Sequence, residues 1–89
     1  MLILSDPMRQ RRKSALALGE EFGLTPAEAA VALELMQADG RAAAATRLGA
    51  TLATVRTHMM RIFEKVGVKN QAALIRRMVT AGIGVEIPD

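Results

Sequence analysis

Residues 48–67 have the sequence LGATLATVRTHMMRIFEKVG, and this stretch decides the fold. Four apolar residues in it recur at the spacing that lines one side of an α-helix, namely Val55, Met59, Ile62 and Val66. Thr51 is a favourable N-cap, and Gly67 is a residue that commonly ends a helix. The stretch therefore predicts an amphipathic helix over residues 52–66.

The opposite side of this helix carries mainly polar side chains. At about 100° per residue, the positions facing away from the apolar stripe are Ala53, Thr57, Met60, Arg61 and Glu64, with Arg56 at the flank. A face of this kind has no packing role within the domain. We expect it to be exposed and available to a partner.

A short, alanine-rich helix is predicted to precede this amphipathic helix. Residues 41–48 contain four consecutive alanines and are followed by Gly49. This composition predicts a small helix, and the glycine predicts a tight turn after it. The helix-turn-helix pattern consists of a short helix, a glycine turn and a capped helix whose basic residues face outward. The predicted helices over residues 41–48 and 52–66 follow this pattern. A generic small helical bundle would show much the same pattern, so the pattern alone leaves both interpretations open.

Two further helices frame the pair. Thr25-Pro26-Ala27-Glu28 is a capping box and predicts a helix over about 26–38, with Val31, Leu35 and Ala38 facing inward. A last helix is predicted over about 70–81, with Leu74 and Met78 as its inner stripe. The same helix has a second apolar edge, formed by Ala72, Ile75 and Val79. The domain needs only one apolar edge for its own core, so the second edge indicates an additional contact.

The two ends of the chain predict less regular structure. Residues 1–23 form an arm or linker, with a short strand at 1–4, a helix over about 8–22 and a basic run at residues 9–13. This run favours a solvated linker or helix start over a DNA-contacting arm. Residues 24–81 form the domain, and residues 82–89 form a loose tail. With 89 residues, the chain is long enough for one domain.

Composition excludes several classes of function. The chain has no cysteine and one histidine, which rules out disulfide scaffolds and cysteine-based zinc sites, and predicts no metal, no cofactor and no enzymatic activity. No apolar stretch approaches the length of a secretory signal or a membrane span. A cytoplasmic protein without a membrane partner is expected.

Charge is distributed unevenly along the chain. Residues 1–40 contain four Lys/Arg and six Asp/Glu, whereas residues 41–77 contain eight Lys/Arg and one acid. Positive charge is thus concentrated around the predicted helix-turn-helix. Such a concentration suits a polyanionic partner, although solvated basic faces are common.

The motifs taken together are more specific than any one of them. The chain carries Leu24-Thr25-Pro26-x-Glu28, Leu48-Gly49, Thr54-Val55-Arg56-Thr57-His58 and Ile62-Phe63-x-Lys65-x-Gly67-Val68. In these motifs it resembles the LuxR/FixJ (GerE-like) family of bacterial transcription regulators. The resemblance implies an all-α, four-helix helix-turn-helix domain of the tetrahelical LuxR type, here with the N-terminal extension described above. It also implies that the third helix enters the major groove of double-stranded DNA.

The resemblance further implies roles for individual residues. Arg56, Thr57 and Met60 would face bases, and Thr54, His58 and Arg61 would lie near the DNA backbone, where the cap at Thr51 directs backbone N–H groups. Lys65 and Lys69 would add charge for phosphates. For His58, a hydrogen bond between helices is an equal alternative. The fourth helix would form a homodimer through Ala72, Ile75 and Val79.

Two departures from the family pattern leave a second function open. Ala43 stands where the family usually has an acid that pairs with the recognition helix, so this helix is expected to be held less firmly. Met60 stands where the family is usually polar; it could contact thymine methyl groups, reduce affinity or belong to a protein interface. The alternative is a protein-interaction module without DNA binding of its own. Because the first 23 residues resemble a segment joined to a sensory domain, that domain and a partner regulator are candidate partners.

Overall fold

Five helices make up the regular structure of the computed structural model, which describes residues 7–37 and 40–83, with residues 7–10 described by their backbone alone. In chain order they are α1 (Pro7–Phe22), α2 (Pro26–Leu35), α3 (Arg41–Leu48), α4 (Leu52–Val66) and α5 (Gln71–Thr80). The all-helical fold class is confirmed, and the described residues contain no strand. The strand expected at residues 1–4 and most of the expected tail, residues 84–89, lie outside the described residues.

Side-chain caps set the beginnings of α2, α4 and α5. At α2, the Thr25 hydroxyl accepts a hydrogen bond from the backbone N–H of Glu28 (3.2 Å), and the Glu28 carboxylate accepts one from the backbone N–H of Thr25 (2.9 Å). At α5, the Asn70 side chain accepts from the backbone N–H of Ala73 (2.8 Å). Each cap satisfies a backbone donor that a helix leaves without a partner in its first turn.

The structure differs from the sequence-based prediction at two places, the end of α2 and the residue Ile83. Helix α2 ends at Leu35 rather than near residue 38, because the chain tightens into a turn in which the N–H groups of Met36 and Gln37 donate to carbonyls three residues back. Ala38 itself lies outside the described residues. Ile83, expected in the loose tail, is buried, and its N–H donates to the Met78 carbonyl (2.9 Å).

The core is built from aliphatic side chains of all five helices. Helix α2 lies at the centre and packs against α1, α3 and α4, while α3 also packs against α4. Small side chains on α3 allow this close approach, since Ala44 and Ala45 are both buried. The largest side chains that are fully buried come from the other four helices: Leu18, Leu35, Val55, Ile62, Leu74 and Met78.

Helix α1 shares this core although it precedes the capping box. Its Leu18 is completely buried, and its Arg11 forms an ion pair with the buried carboxylate of Glu34 on α2. Glu34 also accepts a hydrogen bond from Arg47 of α3 (2.5 Å). One carboxylate therefore joins three helices, and α1 is fixed to the same unit as the helix-turn-helix.

Candidate nucleic-acid interface

Helices α3 and α4 are joined by a turn that requires glycine. Gly49 has φ +66°, in the left-handed region that side chains with a Cβ rarely adopt, and its N–H closes the end of α3 on the Thr46 carbonyl (3.2 Å). Two residues later, the Thr51 hydroxyl accepts from the backbone N–H of Thr54 (3.1 Å) and begins α4. This turn sets the angle between the two helices of the predicted motif.

Helix α4 has a buried side and an open side. The predicted inner stripe is confirmed, because the four buried residues of this helix are Val55, Met59, Ile62 and Val66. The residues predicted on the other side are all exposed: Ala53, Arg56, Thr57, Met60, Arg61 and Glu64. Met60 is 68% exposed, a high value for a large apolar side chain. The open side of α4 has no packing role within the described part of the chain.

The open side brings together the residues predicted to face bases. Arg56, Thr57 and Met60 lie within one turn of each other, and Arg61 follows on the next position. Arg56 and Arg61 form no ion pair with any described residue. Two permanently charged guanidinium groups are therefore presented to solvent, and the residues between them, Thr57 and Met60, carry no charge.

Thr51 and Thr54 lie together at the beginning of α4. Their hydroxyl oxygens are 2.9 Å apart, within hydrogen-bond distance, and both side chains are exposed. Since Thr51 also caps the helix, its hydroxyl is already engaged in holding the first turn. One of the two hydroxyl groups donates to the other, so one hydroxyl hydrogen of the pair remains for an external acceptor.

Lys65, predicted to supply charge for phosphates, lies in a different environment. Its Nζ is 2.7 Å from Oε1 of Glu28, a carboxylate that is only 2% exposed. The hydrogen bond from Lys65, together with the one from the Thr25 backbone N–H, holds the pKa of Glu28 below its ordinary value despite burial. Lys65 thus stabilises the junction of α4 with the beginning of α2.

The ion pair between Lys65 and Glu28 bears on the prediction, made from Ala43, that α4 is loosely held. Sequence predicts a loosely held α4, because Ala43 offers no acid to a basic residue of that helix. The structure supplies a different ionic link, from Lys65 of α4 to Glu28 of α2, while Glu34 of α2 holds Arg47 of α3. Ala43 itself is half-buried. Both helices of the motif are therefore tied to α2.

Sequence reasoning missed the second role of Glu28 and the role of Glu34. A usable signal existed for Glu28, which precedes Val31 by three residues and Leu35 by seven and so lies on the inner face of α2. An acid on an apolar stripe requires a cation, because an unpaired buried charge is strongly unfavourable. Nothing in the spacing, however, indicates which of the basic residues would supply that cation.

His58 differs from Lys69 and the other predicted contacts in its exposure. Lys69 is exposed and follows the end of α4. His58 is half-buried, and its Nδ1 is shielded from solvent without a hydrogen-bond partner in the described residues. The hydrogen bond between helices considered for His58 is thus not formed through Nδ1.

The three predicted dimer residues lie on one edge of α5, outside the core. Val79 is 47% exposed, Ala72 is exposed and Ile75 is half-buried. They are spaced at i, i+3 and i+7, while Leu74 and Met78 of the same helix are completely buried. Helix α5 therefore presents one apolar edge inward and a second one outward.

The described residues contain no group of three or more His, Cys, Asp or Glu side chains that could hold a metal ion. Across residues 7–37 and 40–83, every helix is too short or too polar to cross a lipid bilayer.

Comparison with protein families matches residues 23–78 to the family described as GerE: bacterial regulatory proteins, luxR family. This segment is more than half of the chain and contains α2, α3, α4 and most of α5. The chain belongs to the LuxR family. It is a DNA-binding helix-turn-helix domain of that family of transcription regulators. Searches of curated proteins and of solved structures gave no match.

The family match begins at Gly23, immediately after α1. Helix α1 therefore lies outside the matched segment, although it packs into the same core and pairs with Glu34.

Proposed function

We propose that this LuxR-family domain binds DNA in a sequence-specific manner by inserting α4 into the major groove. The observation that carries the proposal is the open side of α4, where Arg56 and Arg61 are exposed and form no ion pair with the described residues. The buried side anchors the helix through four core residues. A helix of this diameter fits a groove about 12 Å wide.

Within this arrangement, Arg56 is the residue best suited to select a base. Its guanidinium can donate two parallel hydrogen bonds to O6 and N7 of guanine, a contact that discriminates by about 1–3 kcal/mol against other bases. Thr57 and Met60, one turn along the same surface, would contact the neighbouring base pairs. These contacts would determine sequence preference.

The remaining positions suit the sugar–phosphate backbone. Thr54, Arg61 and Lys69 are exposed, and the half-buried His58 lies on the same helix between Thr54 and Arg61. Contacts to phosphates add affinity without sequence information and make binding dependent on salt. Lys65 contributes to this group less than sequence suggested, because its ammonium is held by Glu28.

We also propose that the domain acts as a homodimer through the outer edge of α5. The support is the exposed apolar stripe of Ala72, Ile75 and Val79, which has no partner within the described residues. Two copies related by a two-fold axis would place two α4 helices on half-sites about one helical turn of DNA apart. Half-site spacing in bound DNA therefore reports the dimer.

The decisive experiment is selection of bound sequences from a random duplex pool, followed by titration of the selected duplex at several salt concentrations. Arg56→Ala is expected to relax preference at one position, while Lys69→Ala weakens binding to all sequences alike and reduces the salt dependence. Arg12→Ala on α1, exposed and remote from α4 in the chain, is the matched control and should bind as the unaltered protein does.

A different outcome would support the interaction-module alternative. If neither the selected duplex nor any random duplex bound at low salt, the open side of α4 with its exposed Met60 would be better explained as a protein contact. If binding were unaffected by Arg56→Ala, the placement of α4 in the groove would be wrong.

A further inference from the structure

Up to Met60, the centre of the open side of α4 is apolar, and the exposed Glu64 continues the same line one turn later. Ala53, Thr57 and Met60 follow one another at i, i+4 and i+7, so they form a continuous line along the helix, and all three are exposed. We name this line the methyl stripe. Arg56 lies along one side of it and Arg61 along the other. An apolar line between two exposed guanidinium groups is unexpected on a surface that only binds phosphates.

Thr57 fits this line because its hydroxyl is engaged within its own helix. The hydroxyl donates to the Ala53 carbonyl (3.1 Å), which uses the single donor of the side chain. The γ-methyl group then remains for an external contact. Ala53 contributes a methyl group as well, and Met60 a flexible thioether that ends in one. The methyl stripe therefore offers three apolar groups and no free hydroxyl donor.

The major groove of DNA contains one kind of apolar group, the C5-methyl of thymine, and 5-methylcytosine carries the same group. The methyl stripe spans seven residue steps, which is about 10 Å along a helix. Successive bases are about 3.4 Å apart, so the methyl stripe covers about three base steps. Its length and its chemistry both match a short run of methylated pyrimidines.

We infer that Ala53, Thr57 and Met60 recognise the C5-methyl groups of pyrimidines, so that this domain selects thymine or 5-methylcytosine under the methyl stripe. The inference rests on the proposed placement of α4 in the major groove and adds the chemical feature that α4 selects. Arg56 supplies the neighbouring preference for guanine. Met60, a departure from the polar pattern of the family, is on this account a determinant of specificity.

The test removes or adds single methyl groups in the DNA without altering its hydrogen bonds. In the selected duplex, each thymine is replaced in turn by uracil, and each cytosine by 5-methylcytosine, and dissociation constants are measured by fluorescence anisotropy. Loss of one methyl contact is expected to weaken binding by about fourfold, as for one buried methyl-sized group. Sensitivity should be confined to about three adjacent positions. A cytosine that lies under the methyl stripe should give tighter binding once it is methylated, and a lack of any gain would exclude 5-methylcytosine as a ligand.

Matched variants assign the effect to individual side chains. Thr57→Val keeps a methyl group and loses the hydroxyl, so it should retain the thymine-over-uracil preference, whereas Thr57→Ser should lose it at one position. Met60→Ala should abolish the preference at a second position, and Met60→Leu should largely keep it. Arg56→Ala serves as the control, because it should weaken guanine preference and leave sensitivity to uracil intact.

The outcomes separate this inference from the function on which it rests. If the unaltered protein bound thymine and uracil duplexes equally well, or if Thr57→Ser and Met60→Ala kept the full preference, the methyl stripe would have no role in recognition, while sequence-specific binding would stand. If the unaltered protein bound no duplex, the proposed function itself would fail.

Discussion

Nζ of Lys65 on α4 lies 2.7 Å from Oε1 of Glu28 on α2, and the two residues are 37 positions apart in the chain. Glu28 also belongs to the capping box, since its carboxylate accepts from the Thr25 backbone N–H (2.9 Å). One buried carboxylate thus closes the first turn of α2 and holds the last turns of α4. The position of α4 and the first turn of α2 therefore both depend on the Glu28 carboxylate.

Removing the lysine should therefore destabilise the fold. Lys65→Met keeps the aliphatic part of the side chain and deletes the ammonium, which leaves the Glu28 carboxylate buried without its cation. We expect a loss of about 1–3 kcal/mol in the free energy of unfolding, measured by urea denaturation. Lys69→Met is the matched control, because Lys69 is exposed and forms no ion pair with the described residues. Equal stability of the two variants would contradict the structural role of Lys65.

The same pair predicts a dependence of stability on pH. Because the pKa of Glu28 is lowered in the folded state by Lys65 and the Thr25 N–H, the unfolded chain binds more protons than the folded one as the pH falls below about 4.5. The stabilisation from Glu28 is therefore complete above that pH and is lost as the pH falls through the folded-state pKa. Glu28→Gln should remove this component.

The measurement for this prediction is the urea midpoint of both proteins between about pH 3 and pH 6. The unaltered protein should be the more stable near pH 6, and the difference between the two proteins should shrink towards pH 3. A difference that stayed constant over this range would show that the charge of Glu28 does not contribute.

Helix α1 should be required for stability even though the family match begins after it. Leu18→Ala removes a completely buried side chain and should cost about 2–5 kcal/mol, as measured by thermal or urea unfolding. Leu16→Ala is the matched control on the same helix, since Leu16 is 63% exposed, and it should change stability by less than about 0.5 kcal/mol. If both variants were neutral, α1 would not share the core.

The outer edge of α5 should control association. Val79→Asp places a charge in the proposed dimer contact and should shift sedimentation towards the monomer, while leaving the far-ultraviolet circular dichroism unchanged, because Val79 is not part of the core. Affinity for a DNA with two half-sites should fall more than affinity for a single half-site. Leu16→Asp, another exposed apolar position, should leave association unchanged. An unaltered sedimentation profile for Val79→Asp would exclude α5 as the dimer contact.

Much of the helical framework could be predicted from local sequence patterns. The capping box at Thr25, the cap at Thr51 and the glycine at position 49 are short-range signals whose effects are confined to one helical turn. The inner stripe of α4 follows from the period of the helix alone. Where local signals were weak, prediction was less accurate: α2 ends at Leu35, and Ile83 is packed against the core rather than free.

The sequence by itself thus determined which residues form helices and which side of α4 faces outward, because both depend on interactions between residues a few positions apart. Only the tertiary structure decided that Lys65 is held by Glu28, that Glu34 joins Arg11 to Arg47, and that Leu18 makes α1 part of the core. Contacts of this kind depend on how helices are packed, and packing brings together residues whose separation along the chain carries no periodic signal. The open side of α4 was therefore predictable as a surface, whereas the pairing of Lys65 with Glu28 was not.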